Sequence, residues 1–211
     1  MKLLLVRHAE FFMVRVATLK RRHPYHAVDA VTRFVREAAV DPKVLAIKMT
    51  LYRVSPASPI AHALRTAVEN GKEVAVLVEL QARFDEEANI TWARVLEEVG
   101  AHVVSGRVGL KTHCKACLVV RQEADGVRRY CHLGTGNYNA RTGGLYGDLG
   151  LFTNRDSFGE DLTELFNLLT GGTRPRGFHH LPPTCATGSS SVSAARPTMR
   201  APGDRDVSSP R

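Results

Sequence analysis

Long apolar runs are missing from this 211-residue chain. A helix that crosses a bilayer needs about 20 consecutive apolar residues, and no stretch approaches that length. The opening letters MKLLLV are interrupted at once by Arg7, His8 and Glu10, so they are also too short for the apolar core of a secretory signal. We therefore expect neither a transmembrane segment nor a signal peptide.

Cysteine is scarce, and its spacing does not indicate a metal site. The four residues are Cys114, Cys117, Cys131 and Cys185. The first two form a C-x-x-C, but on a strand their side chains would face opposite ways, which disfavours metal or redox use. A reducing cytoplasm is the expected location. The periphery of the inner membrane remains the alternative.

Excess charge is missing from the centre of the chain, although the net charge is +8. Residues 1–26 carry six Lys or Arg against one Glu, and residues 172–211 carry six Arg against two Asp. The middle of the chain keeps the other 17 basic and 18 acidic residues and is close to neutral. Basic ends are usually solvated tails, so the composition does not predict binding to nucleic acid.

Strands and helices alternate in the apolar pattern of the first half of the chain. We expect three strands and three helices, at residues 44–51, 74–80 and 102–105 and at 27–40, 60–70 and around Trp92. Ser58 and Pro59 are typical of a helix start. The strings VLAIKMTL and EVAVLVEL are almost continuously apolar, which is typical of buried parallel strands. The pattern predicts an α/β layered domain with a mixed, largely parallel sheet flanked by helices.

His113 and Lys115 are the side chains with the clearest chemical potential. A strand at 112–120 would place both on one face, because side chains on a strand alternate. A neutral imidazole can accept a phosphoryl group, and an ammonium beside it offsets the charge of the phosphoryl oxygens. A lone His-x-Lys is common, however, and is usually not catalytic.

A glycine-rich loop one hairpin later strengthens this interpretation. The turn at Asp125-Gly126 leads into a strand at 127–133, which delivers the letters GTGN near the histidine. The last of these, Asn137, would lie beside the His-x-Lys pair. The combination of imidazole, ammonium and loop indicates phosphoryl transfer.

Arg53 and Arg83 follow the first two predicted strands in matching loops. Each could be a solvated charge, and Arg83 could be satisfied by the adjacent acidic letters DEE. Functional groups gather at the carboxyl ends of parallel strands, however, and guanidinium forks suit phosphate oxygens. Two such arginines together with one histidine favour a polyanionic substrate.

The two ends of the chain differ from its middle. Residues 1–22 are interpreted as an N-terminal stub, residues 23–171 as the domain, and residues 172–211 as a disordered tail rich in Pro, Ser and Arg. The letters MKLLLVRHAE resemble the opening of the histidine phosphatases, but over about ten residues only.

The motifs of residues 23–171 resemble one family. They include HPY, DPKVLAIKMTLYR, ENGKEVAVLVELQARFDEEANI, GLKTHCK, HLGTGNYN and RTGGLYGDLGL. The family is that of the polyphosphate kinases of the phosphohistidine type, which move the terminal phosphate of ATP onto a polyphosphate chain. The resemblance implies a phospholipase-D-like α/β fold for this part of the chain.

The resemblance also implies roles for particular residues. His113 would be the phosphorylated histidine and Lys115 its charge partner, and Tyr146 of the LYGD motif would contact ATP. The family's metal assignment falls on Arg53 and Arg83. Because a cation does not suit a Mg²⁺ ligand, these arginines would grip phosphate oxygens that the Mg²⁺ ion shares.

The chain departs from the family pattern in length. Family members are several times longer and carry further ATP-contacting domains and a second phospholipase-D-like domain. The implied partners are therefore ATP, inorganic polyphosphate, and either the missing kinase domains or a homo-oligomer. A truncated, catalytically inactive fragment that binds polyphosphate or nucleotide is the alternative function. A phospholipase-D-type phosphodiesterase is less favoured, because it needs two His-x-Lys motifs and the chain has one.

Overall fold

The computed structural model describes residues 18–22, 29–52, 54–79, 86–106, 112–139, 148–171 and 175–181. The elements in chain order are β1 (Thr18–Arg22), α1 (Asp29–Val40), β2 (Val44–Leu51), α2 (Pro59–Glu69), β3 (Glu73–Val78), α3 (Glu86–Glu98), β4 (His102–Ser105), β5 (Lys115–Glu123), β6 (Gly126–Gly134), β7 (Leu149–Thr153) and α4 (Asp156–Gly171). None of these described helices is long and apolar enough to cross a membrane.

The described strands form one seven-stranded sheet in the order β1-β7-β6-β5-β2-β3-β4. The mixed sheet flanked by helices is confirmed, but the expectation that it is largely parallel holds only for β2, β3 and β4. The other four pairings are antiparallel. Parallel neighbours need a crossover connection, which α2 and α3 provide. The short turn between β5 and β6 instead forces an antiparallel hairpin.

Helices cover both faces of the sheet. On one face, α1, α2 and α3 pack on the larger core, which includes Phe34, Leu64, Leu96 and Phe152. On the other face, α4 packs on a smaller cluster that contains Ala116, Leu118, Cys131 and Phe166. Cys114 lies in the smaller cluster and Cys117 in the larger one, so the two cysteines of the C-x-x-C face opposite sides, as the alternation of a strand predicts.

Several element boundaries match the expectations from sequence. Strands β2 and β4 match, and Ser58 caps α2 by accepting a hydrogen bond from the backbone N–H of Ala61, with Pro59 in the first turn. Strand β5 begins at Lys115 instead of residue 112, so His113 lies in the extended segment that leads into the strand. Strand β1 falls within the predicted N-terminal stub and pairs with β7.

The start of the predicted disordered tail is packed against α4. The carboxylate of Asp161 accepts hydrogen bonds from the backbone N–H groups of His179, His180 and Leu181 at 2.7, 2.7 and 3.0 Å. Phe178 and Leu181 pack against the smaller core. Residues 175–181 therefore differ from the expectation of disorder, because a buried carboxylate and two apolar side chains hold them. Residues 182–211 lie outside the described residues.

A largely buried ionic network joins the turn before β2 to strands β5 and β6, at the edge of the sheet that holds the β5–β6 turn. Arg121 donates to Asp41 Oδ2 at 2.9 Å and to Glu123 Oε2 at 2.5 Å, and the Tyr130 hydroxyl donates to Glu123 Oε1 at 2.6 Å. Burial disfavours the charged Glu123 carboxylate, but the hydrogen bonds from Tyr130 and Arg121 outweigh burial and lower the pKa of Glu123. The Glu123 carboxylate is thus charged at neutral pH, and both of its oxygens accept hydrogen bonds.

The Thr50 hydroxyl joins β2 to the start of β5, beyond the last ladder pair at Met49 and Cys117. It donates to the Cys114 carbonyl at 2.8 Å and accepts from the Ala116 N–H at 3.0 Å. One buried hydroxyl therefore fixes the backbone on both sides of Lys115.

We predict that Arg121→Met destabilises the chain by about 3 kcal/mol, because it leaves the buried Asp41 carboxylate and the half-buried Glu123 carboxylate without their cation. Urea unfolding at pH 7 measures this loss. The matched control is Arg65→Met, which removes an exposed ion pair with Glu69 and should cost less than about 0.5 kcal/mol. Equal losses for the two variants would contradict the prediction.

The same network predicts a pH dependence. The pKa of Glu123 is lower in the folded chain than its unfolded value of about 4.3, so its stabilising contribution is present above that pH. It should be lost as the pH falls from about 4.3 through the folded-state pKa. We expect Glu123→Gln to reduce the fall in the free energy of unfolding over this pH range, measured by urea unfolding at a series of pH values. The same fall in Glu123→Gln as in wild type would contradict the prediction.

We predict that Thr50→Val costs about 1–3 kcal/mol, because valine has nearly the same shape but leaves the Ala116 N–H without its acceptor. Thermal or urea unfolding measures the loss. Thr163→Val is the control, since the Thr163 hydroxyl only donates to a carbonyl one turn earlier in its own helix. If Thr163→Val lowered the free energy of unfolding as much as Thr50→Val, the hydrogen bonds between β2 and β5 would not explain the loss.

Candidate functional site

Four chain segments meet at one edge of the sheet. Strands β2 and β3 are parallel, so their carboxyl ends share this edge. Strand β5 runs antiparallel to β2, which places the start of β5 at the same edge, and β6 returns there at Gly134, opposite Lys115. Gly134 in turn pairs with Gly150 of β7. The residues after β2, after β3, before β5 and after β6 therefore come together.

His113 and Lys115 lie at the centre of this edge. Lys115 is only 2% exposed, and its Nζ donates to the backbone carbonyl of His113 at 2.7 Å. The side chain of Lys115 thus folds back towards the histidine. The His113 side chain is half-buried. The Lys115 ammonium is thus held by the backbone of His113.

Tyr52, directly after β2, contacts both members of the pair. Its ring centroid lies 5.1 Å from Lys115 Nζ and 5.3 Å from the centroid of the His113 imidazole, in a T-shaped arrangement. The sequence analysis did not select Tyr52. Its position between Leu51 and the predicted Arg53, in the string LYR, was the signal available.

Glu79, directly after β3, holds the segment that precedes His113. Its carboxylate is 2% exposed, and Oε2 accepts the backbone N–H of Thr112 at 2.9 Å. The backbone N–H of Glu79 donates to the Leu51 carbonyl at 3.0 Å. The ends of β2 and β3 and the approach to β5 are therefore tied through one residue.

Asn89 of α3 joins the two loops that carry the predicted arginines. Its side chain is fully buried, with Oδ1 accepting the Val54 N–H and Nδ2 donating to the Glu79 carbonyl, each at 2.9 Å. Val54 directly follows Arg53, and Glu79 directly follows β3, the strand that precedes the Arg83 loop. An amide is the side chain that can accept from one loop and donate to the other.

The glycine-rich loop after β6 is held by Asp148, which precedes β7. The Thr135 hydroxyl donates to Asp148 Oδ1 at 2.9 Å, and the Thr135 N–H donates to the Leu149 carbonyl at 3.0 Å. A Cβ atom at Gly136 would lie 2.2 Å from Asp148 Oδ2, which is closer than any side chain tolerates. Glycine is therefore required at Gly136 by the close approach of a carboxylate.

Asn137 presents an unused acceptor in this loop. Its Oδ1 atom is buried and accepts no hydrogen bond from the described part of the chain. Such an atom is costly unless a ligand or water satisfies it. Beneath the loop, His132 Nδ1 lies 2.9 Å from the Tyr138 hydroxyl. Burial, with a smaller effect of Cys117 and Cys114, raises the pKa of Tyr138 well above its usual value, so the hydroxyl stays neutral.

Cys117 and Cys131 do not supply a competing nucleophile. Burial raises the pKa of Cys131 to about 12 and that of Cys117 further. Both are protonated at neutral pH, and the thiolate is the nucleophilic form.

Three predicted site residues, Arg53, Arg83 and Tyr146, lie outside the described residues. Within the described residues, the arrangement offers an imidazole, a buried ammonium and the Asn137 acceptor at one edge. Sequence reasoning missed Thr50, Tyr52, Glu79 and Asn89, which fix the backbone or the side chains of the pair. An imidazole beside a held ammonium can accept a phosphoryl group.

Comparison with known proteins identifies the family of the chain. A family model described as polyphosphate kinase C-terminal domain 1 matches residues 11–175. The polyphosphate kinase of Thermosynechococcus vestitus is 61% identical over 172 residues, which cover 81% of this chain and 24% of that protein. That of Mycolicibacterium gilvum is 56% identical over the same length and with the same coverage. The chain spans about a quarter of the length of these relatives.

Solved structures agree on the fold. The crystal structure of polyphosphate kinase from Porphyromonas gingivalis superposes with a TM-score of 0.69 at 36% identity, over 79% of this chain and 28% of that one. Nuc, a phospholipase D family member from Salmonella typhimurium, superposes with a TM-score of 0.55 at 16% identity, over 72% of this chain and 92% of that one. The second likeness concerns the fold alone. With a family model over most of its length and the expected pair at the expected edge, the chain belongs to the polyphosphate kinases and carries their first C-terminal domain.

Proposed function

We propose that this chain carries the phosphoryl-accepting part of a polyphosphate kinase, in which His113 receives the γ-phosphate of ATP and passes it to polyphosphate. The observation that carries the proposal is the buried Lys115 ammonium, which is folded back onto the His113 carbonyl at the edge where the strand ends converge. A charge held out of water acts more strongly on a phosphoryl group than one in solvent.

The proposed reaction has two displacements. A lone pair of the His113 imidazole attacks the γ-phosphorus, an N–P bond forms, the bond to the bridging oxygen breaks, and ADP leaves. A terminal oxygen of polyphosphate then attacks the same phosphorus, a P–O bond forms, and the N–P bond breaks. The imidazole is regenerated, and Lys115 faces the transferred oxygens in both in-line steps.

The remaining predicted residues have proposed roles in binding. Arg53 and Arg83 would hold phosphate oxygens of the triphosphate, and Tyr146 would contact the nucleotide. Asn137 Oδ1 would receive a donor of the ligand, or face a cation, because it is buried with no hydrogen bond from the described residues. Asn89 would keep the two arginine loops at a fixed separation.

Mg²⁺ is a proposed companion of ATP at this site. Among the described residues, no three His, Cys, Asp or Glu side chains come together as a metal site. Asn137 Oδ1 is an oxygen of a type that Mg²⁺ accepts, so the site fits an ion that is held mainly by phosphates and water. When bound, Mg²⁺ supplies positive charge to the triphosphate. Arg53 and Arg83 would share those phosphate oxygens without ligating the ion.

The proposed partners follow from the share of the relatives that the chain covers. Because it spans about a quarter of their length, the other contacts to ATP and polyphosphate would come from further kinase domains or from a second copy of the chain. The same proposal includes a cytoplasmic location, and the periphery of the inner membrane is the alternative location.

A catalytically inactive fragment that still binds polyphosphate or nucleotide is the second candidate. Such a fragment would keep the edge where the strand ends converge and bind phosphate there without transferring it. The two candidates differ in whether His113 becomes phosphorylated. A phosphodiesterase of the phospholipase D type remains the weaker alternative, since its two His-x-Lys motifs would have to come from two chains.

Incubation with γ-labelled ATP and Mg²⁺ separates the two candidates. We expect wild-type protein to retain an acid-labile, base-stable label that His113→Ala loses, because a phosphoramidate is stable in base and hydrolysed in acid. The control is His62→Ala, whose histidine packs on Trp92 away from the pair. Absence of label in every variant would favour the inactive fragment, and label retained in His113→Ala would refute His113 as the acceptor.

The role of Lys115 is tested by Lys115→Met. Replacing a buried cation with an apolar side chain of similar length should leave the fold about as stable, because burial of a charge is costly. Affinity for tripolyphosphate, measured by calorimetry, should fall about tenfold or more. Lys43→Met, at an exposed lysine, should change affinity less than twofold. If wild type and Lys115→Met bound tripolyphosphate equally well, the Lys115 ammonium would not contribute to phosphate binding.

A further inference from the structure

The ring of Tyr52 makes contacts that neither the family resemblance nor the proposed reaction uses. Tyr52 is 7% exposed and lies against both His113 and Lys115. An aromatic ring presents a negative face and a positive edge, so the same ring can attract an ammonium and pack on an imidazole. The geometry of both contacts falls within the usual range for such interactions.

Lys115 needs this contact because its charge is buried. An ammonium out of water must be compensated by hydrogen bonds and nearby negative potential. The His113 carbonyl accepts one hydrogen bond from Nζ at 2.7 Å, and the Tyr52 ring lies on the ammonium at 5.1 Å from its centroid. The two contacts define one direction for a side chain that otherwise has four rotatable bonds.

The position of Tyr52 is itself well determined. The preceding residue, Leu51, ends β2 in the larger core at 2% exposure, and its carbonyl accepts the Glu79 N–H. The next described residue, Val54, is held by Asn89. Tyr52 therefore sits on a backbone that is fixed on both sides, and it connects the His113–Lys115 pair to the loop of Arg53.

We propose that Tyr52 is a positioning residue, whose ring holds the Lys115 ammonium beside His113 and fixes the orientation of the imidazole. The proposal deepens the proposed function and rests on it for the effect on phosphate binding. In the absence of any ligand, the ring of Tyr52, and not its hydroxyl, sets the geometry of His113 and Lys115.

The experiment uses the full 211-residue chain with Tyr52→Phe and Tyr52→Leu. The first readout is the ¹H–¹³C NMR spectrum of the imidazoles, with the His113 signals assigned by their loss in His113→Ala. The second is the affinity for tripolyphosphate. Tyr52→Phe should keep the ring-current shift of His113 and bind within about twofold of wild type. Tyr52→Leu should lose that shift and bind about tenfold more weakly.

A matched control is Phe158→Leu, which removes a stacked aromatic ring from His180 at 4.1 Å, on the far side of the sheet. It should move the His180 signals and leave those of His113 and the affinity unchanged. If Tyr52→Leu does not fold, replacement of Tyr52 by phenylalanine and by pentafluorophenylalanine gives the same comparison. The fluorinated ring keeps the shape but reverses the charge of its face, so it should bind as weakly as expected for leucine.

The outcomes separate this proposal from the proposed function. If wild-type protein does not bind tripolyphosphate, the proposed function fails, while the His113 signals still decide the positioning role. If Tyr52→Leu keeps both the His113 shift and the affinity, Tyr52 does not position the pair. If Tyr52→Phe behaves as Tyr52→Leu, the hydroxyl and not the ring is responsible, and the proposal is overturned.

Discussion

The burial of the Lys115 ammonium is the constraint on which the candidate site depends. A charge at 2% exposure is unfavourable unless polar groups are brought to it, and bringing them requires a backbone that cannot relax away. The His113 carbonyl and the Tyr52 ring supply those groups. The Thr50 hydroxyl then fixes the backbone of the residues on both sides of the lysine, Cys114 and Ala116.

The loops around the pair are built on the same principle, since buried polar side chains replace a regular ladder where the strands end. Glu79 accepts from the segment before His113, and Asn89 spans the loops after β2 and β3. Asp148 fills the space that Gly136 leaves open. Fully satisfied polar groups of this kind specify one arrangement more sharply than apolar packing does. The described part of this edge is therefore held by buried polar side chains, and Asn137 Oδ1 is a buried acceptor there without a hydrogen bond from the described residues.

Much of the fold was readable from the sequence because its signals are local. Strands β2 and β4 and the Ser58 cap were predicted where they occur, and the alternation around Lys115 placed Cys114 and Cys117 on opposite faces. The antiparallel half of the sheet was underestimated, because pairing partners such as β1 and β7 are set by tertiary packing. Thr50, Tyr52 and Asn89 were missed for a related reason. Their partners lie far along the chain, and a threonine, a tyrosine or an asparagine at the end of a strand or in a helix carries no periodic signal.

The hydrogen bond from the Thr50 hydroxyl to the Cys114 carbonyl joins residues 64 positions apart, and that from the Val54 N–H to Asn89 Oδ1 joins residues 35 apart. Contacts of such separation slow folding, because the entropy of loop closure is lost before the contact contributes any stability. His113 and Lys115 are only two positions apart in sequence, yet the hydrogen bonds that hold the backbone around them come from distant parts of the chain. A short peptide with the His-x-Lys motif would contain both residues but not their relative geometry. The site should therefore form only when the whole chain folds.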